Sequence, residues 1–412
     1  MLKPISDADS ISSRLPLRVC ATFLLLPVLL SGCAGGPPHE QPETHMTARR
    51  AVAPVTAAPQ EHQSPELTPA LNLSTTTNLE GIIPALAEKR VVLVGETHDR
   101  YDNHLMQLEI IRRLHAVHPR LAIGMEIFQQ PFQDILDGYI AGQLDAKQLL
   151  RETEYYRRWR FDFRLYAPIL EYARKHHLPV VALNLPAELT GKVGREGIAG
   201  LTEAERKELP DEIDRTDASY EARLRKVYEH HPARDGRGFD NFVDVQLLWD
   251  EGMAQRAAEF LRAHPDYAMV VLAGTGHLAF GSGIPQRLTR RIDVKIAIVL
   301  NDWEGELGPG LADYLLLPRE QSLPPSGRFG ALLDEREGKL RIDQCLPDSP
   351  CKLAGLRRGD QIIAINGEAI ADLADLRVAT WDKRPGDSVT IKVRRRHWYR
   401  TPQELSYEII LR

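Results

Sequence analysis

One short stretch of the chain concentrates groups that can do chemistry. Gly95-Glu96-Thr97-His98-Asp99 carries two carboxylates and an imidazole within four positions. An imidazole titrates near neutrality, and a neighbouring carboxylate can orient it or take up its proton, so the trio suits acid–base work or metal ligation. Similar groups recur far along the chain: Glu126 in Gly124-Met125-Glu126, Asn184, His277 in Gly274-Thr275-Gly276-His277, and Asn301-Asp302. Glu96, His98, Glu126 and His277 together would satisfy zinc, manganese, cobalt or iron. The same four can serve as acid and base on a bound substrate. No His-Glu-x-x-His run is present, so spacing alone leaves three readings open: metal or substrate chemistry, ligand binding without chemistry, and a hydrogen-bonded cluster capping a sheet.

Each of these groups follows a short apolar run. Residues 91–94, 121–124, 180–183, 269–273 and 296–300 are continuously apolar and separated by segments of helical period. Such runs predict strands buried on both faces, hence an α/β domain with a mostly parallel sheet flanked by helices. Five strands would deliver polar residues to one edge, which is where ligands bind in such sheets. Leu105, Leu108, Ile111 and Leu114 predict a helix directly after Asp99. A large helical insertion spans about 186–264, and its last helix carries an apolar stripe of Phe242, Val245, Trp249, Met253 and Phe260. Gln246 and Asp250, four apart on another face, would look into the cleft. The stretch 155–166 is aromatic and cationic in a chain that is only 7% aromatic, and includes Tyr156, Arg160 and Tyr166. It reads equally as a wall for a flat ligand, with arginines meeting its carboxylates, or as a helix on the sheet with arginines reaching water. Gly274 and Gly276 permit a sharp turn before His277, but the third glycine and the lysine of a phosphate loop are missing.

The chain has 412 residues, is 43% hydrophobic and carries a net charge of −5. That is ample for packed cores and leaves no electrostatic footprint for nucleic acid; the densest basic run, Arg394-Arg395-Arg396-His397, reads as a solvated strand end. Near the N-terminus an apolar run at 19–30 follows Arg14 and Arg18, a secretory pattern too short for a comfortable membrane span. It ends in Leu30-Ser31-Gly32-Cys33, which resembles the bacterial lipobox. The resemblance implies acylation of Cys33, a lipid anchor, and, with Ala34 rather than aspartate next, an outer-membrane protein facing the periplasm. The expected organisation is a lipoprotein signal peptide at 1–32, a disordered tether at 33–77, the α/β domain at 78–317, a linker at 318–327 and a small β-rich domain at 328–412.

That last domain contains Pro347-Asp348-Ser349-Pro350 and Leu353-Ala354-Gly355-Leu356-Arg357-Arg358-Gly359-Asp360, then Ile365-Asn366-Gly367, among short strands at 328–333, 339–345, 361–365, 388–394 and 405–411. It resembles a bacterial PDZ domain. The resemblance implies capture of a protein C-terminal peptide, with Phe329, Gly330 and Ala331 at the carboxylate-binding loop. Cys345 and Cys351 flank a turn and are expected to pair in an oxidising compartment.

Taken together, Gly95-Glu96-Thr97-His98-Asp99, Gly124-Met125-Glu126, Gln246-x-x-Trp249-Asp250-x-x-Met253-Ala254, Gly274-x-Gly276-His277 and Gly281-x-Gly283-Ile284-Pro285 resemble the ChaN-like family of the Tiki, TraB and erythromycin-esterase-like superfamily. The ChaN-like members imply a haem-binding lipoprotein in iron uptake; the Tiki and esterase relatives imply a metal-dependent protease or a hydrolase using histidine. Gly95-x-x-His98 fits the protease pattern, with Glu96 and Glu126 as acidic partners. A haem would need an axial ligand, which tyrosine can supply to ferric iron, from Tyr166 or Tyr156. Arg160, Asn184, Gln246 and Asp250 complete the expected lining, and a haem held between two copies of the chain would leave the same sequence signature.

Overall fold

A computed structural model describes residues 73–230, 238–397 and 400–412. The expected signal peptide at 1–32, Cys33 and most of the expected tether at 33–77 lie outside the described residues. The α/β domain opens with the helix Leu79–Ala87, whose N-cap Asn78 accepts from the Gly81 amide through its side chain. Six strands follow: β1 (Val91–Glu96), β2 (Leu121–Gln129), β3 (Val180–Asn184), β4 (Ala268–Gly274), β5 (Ile296–Asn301) and β6 (Tyr314–Leu316). They form one sheet in the order β3-β2-β4-β1-β5-β6, every pair parallel. The unbroken apolar runs have a plain cause. In β1, Val92 and Val94 enter one core while Val91 and Leu93 enter another on the opposite face. In β4, Val270 and Leu272 join the first, and Met269, Val271 and Ala273 the second. A strand with helices on both sides has no face left for polar residues until it ends.

The helix Tyr101–Val117 returns the chain from β1, but its buried face differs from the expected one. Leu105 and Leu108 are half-buried, whereas Asn103, His104 and Gln107 are buried in line with Ile110, Ile111 and Leu114. The first turns of this helix thus press polar groups against the end of β1. The 25-residue helix Phe239–Ala263 is buried along Val243, Leu247, Asp250, Ala254, Ala257 and Leu261, with Trp249 only half-buried. Its cleft-facing carboxylate therefore belongs to the deepest stripe of the helix.

The C-terminal module is an antiparallel sheet of β7 (Ala331–Arg336), β8 (Lys339–Cys345), β9 (Gln361–Ile365), β10 (Glu368–Ala369), β11 (Ser388–His397) and β12 (Arg400–Ile410). Its order is β12-β11-β9-β8-β7, with β10 on β9. Asn366 and Gly367, both at positive φ, form the two-residue turn between β9 and β10. The first strand begins three residues later than expected. Arg328 pairs instead with Arg412 through both backbone bonds, and Gly330 at φ +72 breaks the run before β7. Cys345 and Cys351 form a disulfide, with Cα atoms 5.5 Å apart. The amide of Cys351 donates to the Phe329 carbonyl and that of Leu346 to the Gly330 carbonyl, so the closed turn holds the 329–331 loop. The basic run lies in β11, where Arg394 pairs with Glu404 and Arg395 with Asp360.

Candidate functional site

Three adjacent strands, β2, β4 and β1, end side by side and bring together residues up to 181 positions apart in sequence. Glu96 closes β1, His98 follows it, Glu126 lies in β2, and His277 follows β4. Beyond Met125, β2 runs four residues to Gln129 while β3 advances only two, from Ala182 to Asn184. Glu126 sits in that bulge, a device that re-aims a side chain out of the regular pleat. The Gly274 amide donates to Glu126 Oε2 at 2.7 Å. A Cβ on Gly274 would stand 3.0 Å from His98 Cε1 and 3.3 Å from its Nε2, so the imidazole lies close over this backbone.

Both histidines give one ring nitrogen to a carboxylate. His98 Nδ1 donates to Glu96 Oε1 at 2.5 Å, and His277 Nδ1 donates to Asp250 Oδ1 at 2.6 Å. His277 Nε2 lies 3.4 Å from Glu126 Oε1, while His98 Nε2 has no hydrogen-bond partner among the described residues. Burial disfavours the charged His98 ring, yet the Glu96 carboxylate outweighs it and lifts the pKa to about 9. For His277, burial opposes charge in the same way, and Glu126 and Asp250 raise it well above the ordinary value. Burial would raise Glu126, but the two imidazolium rings and the Gly274 amide hold it down at about 2.

Several groups that carry this arrangement escaped the sequence reading. Tyr220, from the insertion helix Ala218–Glu229, donates to Asp250 Oδ2 at 2.5 Å and completes a buried series Tyr220–Asp250–His277–Glu126. His104 lies between Gln107 Oε1 at 3.0 Å and the His98 carbonyl at 3.2 Å, and Gln107 Nε2 donates to the Val94 carbonyl. The Thr97 amide donates to Asn103 Oδ1. The signal for these was available in the 103, 107, 110, 114 spacing, which is a helical stripe that starts polar. Nothing in the sequence marked Tyr220.

The other expected residues fall into two groups. Asn184 and Asn301 tie strand ends together, their side-chain amides donating to the carbonyls of Glu126 and Gly95. Gln246 is buried on the helix beside the site. The aromatic stretch is partly a wall. Trp159 and Phe161 are half-buried, with ring centroids 4.8 and 5.2 Å from that of His98. Arg160 between them is exposed and holds φ +73, the kink that lets both neighbours face the imidazole. Tyr155, Tyr156 and Tyr166 are instead buried. The Tyr166 hydroxyl accepts from Trp159 Nε1 at 3.1 Å and donates to the His98 carbonyl at 3.4 Å. Its proton is held far above the usual phenol range, first by burial and then by Glu96. Among the described residues no three His, Cys, Asp or Glu side chains are arranged to hold a metal ion as they stand.

A family model described as haem-binding uptake, Tiki superfamily, ChaN matches residues 82–288, half of the chain. The chain belongs to the ChaN-type haem-binding family. A PDZ family model matches residues 327–403. The ChaN-type chain is 25% identical over 240 residues to protein RETICULATA-RELATED 5, chloroplastic, of Arabidopsis thaliana, covering 52% of this chain and 31% of that protein. It is 30% identical over 124 residues to a probable periplasmic serine endoprotease DegP-like of Chlamydia muridarum, covering 30% and 23%. The chain thus spans less than a third of the curated relatives it matches. Among solved structures, ChaN of Campylobacter jejuni, described with cofacial heme binding, aligns over 59% of this chain and 92% of its own, at 18% identity and a TM-score of 0.48.

Proposed function

We propose that this ChaN-type protein binds haem at the carboxyl edge of its parallel sheet, against Trp159 and Phe161, with His98 directed at the iron. The observation that carries the reading is the His98 ring itself. Its Nδ1 is held by Glu96, its Nε2 has no hydrogen-bond partner among the described residues, and two half-buried aromatic rings flank it. A histidine that gives its second nitrogen to a carboxylate has the orientation and basicity of a metal-ligating imidazole. Tyr156 and Tyr166 are chemically suited to ferric iron, but Tyr166 would first have to leave Trp159 and the His98 carbonyl. The bound haem would supply an iron centre; the chain binds and orients it, and Glu96 takes charge of the proton on Nδ1.

The flanking modules fit a role in iron acquisition at the cell envelope. The lipobox at Cys33 supports a lipid anchor in the outer membrane, and the PDZ module supports recruitment of a protein C-terminus at the 329–331 loop. A haem shared by two copies of the chain would use the exposed side of the same ledge. The test is a hemin titration of the full chain by absorbance, beside Trp159→Ala with Phe161→Ala. Saturable binding, weakened about thirtyfold in the double variant, is expected from the loss of two stacking rings at ~1 kcal/mol each. Weak binding that does not saturate refutes the reading.

One feature favours hydrolysis as a second reading. In the Tyr220–Asp250–His277–Glu126 series a carboxylate orients His277 through Nδ1, as it does for a metal-ligating histidine. On that reading Glu96, His98, Glu126 and His277 hold a divalent ion, with the PDZ module selecting substrates. Hydrolysis that requires manganese, cobalt or zinc and collapses in Glu126→Gln would support it.

A further inference from the structure

The stretch that forms the ledge also carries the PDZ module. On the α/β side, Lys147 Nζ meets Glu368 Oε1 at 2.5 Å, Arg151 pairs with the same carboxylate, and Arg157 meets Asp372 Oδ2 at 2.6 Å. Each pair is partly exposed and weak alone, but they surround an apolar contact. Val378, in the PDZ helix Leu373–Thr380, is 3% exposed and belongs to the α/β core, and Trp381 packs edge-on against Phe163 at 5.2 Å. In the middle, Arg377 Nη1 donates to the carbonyl of Arg160 at 3.1 Å and its guanidinium lies over the Tyr156 ring.

Arg160 is the residue at positive φ between the two rings that face His98. A non-glycine residue in that region persists only where its surroundings hold it, and here one of the holding groups, Arg377, comes from the PDZ module. The N-terminal end of the same helix reaches the sheet edge formed by β7, where the Leu373 amide donates to Glu335. One short helix therefore touches both the edge along which a PDZ domain adds a strand and the wall of the His98 site.

We propose that Arg377 and the helix Leu373–Thr380 position the Trp159–Phe161 ledge, so that the PDZ edge and the His98 site form one thermodynamically linked unit. Arg377 is a positioning residue: it acts on the site through the Arg160 backbone. Coupling of this kind is reciprocal, so whatever settles the helix changes affinity at the ledge, and a ligand on the ledge changes affinity at the PDZ edge.

The test uses the full chain with 15N-labelled tryptophan, reading the Trp159 indole resonance, whose N–H is bonded to Tyr166. Arg377→Ala removes the bond to Arg160, and Glu368→Lys repels Lys147 and Arg151 at partly exposed positions. Both should displace the Trp159 resonance. Glu368→Lys combined with Lys147→Glu and Arg151→Glu should return it to its original position. Hemin affinity, which rests on the haem reading, should fall roughly fivefold or more in both single variants. If both single variants keep the native circular dichroism spectrum and leave the Trp159 resonance unmoved, the proposal is overturned. The resonance decides the matter even if the parent chain fails to bind hemin.

Discussion

Replacing Glu96 by glutamine should strip His98 of its charge at neutral pH. The ring titrates at about 9 against an ordinary 6.5, despite burial that opposes the charged form. That interval corresponds to about 3 kcal/mol, at about 1.4 kcal/mol for each tenfold change in proton affinity. The carboxylate at 2.5 Å is the main favourable contributor. Glu126 adds to it and His277 opposes it, so with Glu96 neutral the two remaining charges act in opposite senses and burial governs. The pKa in Glu96→Gln should then fall below 6.5. Folding raises the proton affinity of His98, so its contribution to stability is fully present below pH 6.5 and is lost as the pH climbs through about 9. The variant should lack that loss. Histidine-labelled samples titrated by NMR give the pKa directly, and urea unfolding between pH 6 and 10 gives the stability. A His98 pKa that stays near 9 in the variant would refute the electrostatic account of the site.

Tyr220→Phe should cost about 1.5–3 kcal/mol, because it removes the hydroxyl that donates to buried Asp250; chemical denaturation reads the loss, and no change would mean Asp250 finds another donor. Gly283→Ala should be severely destabilising, since the added Cβ would lie 2.0 Å from the carbonyl oxygen of His277, a backbone atom that cannot rotate away. A thermal transition within a few degrees of the parent would contradict that. Reducing the Cys345–Cys351 bridge, which closes a short loop of sequence separation 6, should lower the stability of the PDZ module by about 2 kcal/mol; calorimetry with and without reductant measures it.

The sheet was legible because β1 to β5 are each buried on both faces, so their apolar runs have no interruption until a polar residue reaches the strand end. β6, only three residues long and half-buried at the sheet edge, was missed although Tyr314-Leu315-Leu316-Leu317 is apolar. The meeting of Glu96, Glu126 and His277 was suggested by repetition of polar residues after strands, but the order β2-β4-β1 that makes them neighbours is a tertiary fact. The polar face of Tyr101–Val117 was hidden by leucines nearby in sequence, since period alone does not say which of two stripes faces inward. Tyr156 and Tyr166 illustrate the opposite limit. Their side-chain type suits iron, yet both are buried, and the Tyr166 hydroxyl is taken up by Trp159 and the His98 carbonyl, contacts that no residue type announces. The ion pairs joining 147–157 to 368–375 span more than 200 positions and leave no local trace.

The most direct test of the central claim is a hemin titration of the full chain at pH 6, 7 and 8, alongside His98→Ala. If His98 Nε2 meets the iron, binding must release the proton that the ring holds up to about 9. Apparent affinity should then rise about tenfold per pH unit across that range, and His98→Ala should abolish both the tight binding and the pH dependence. Tight binding that is independent of pH and survives His98→Ala would contradict the account and return the axial position to a tyrosine.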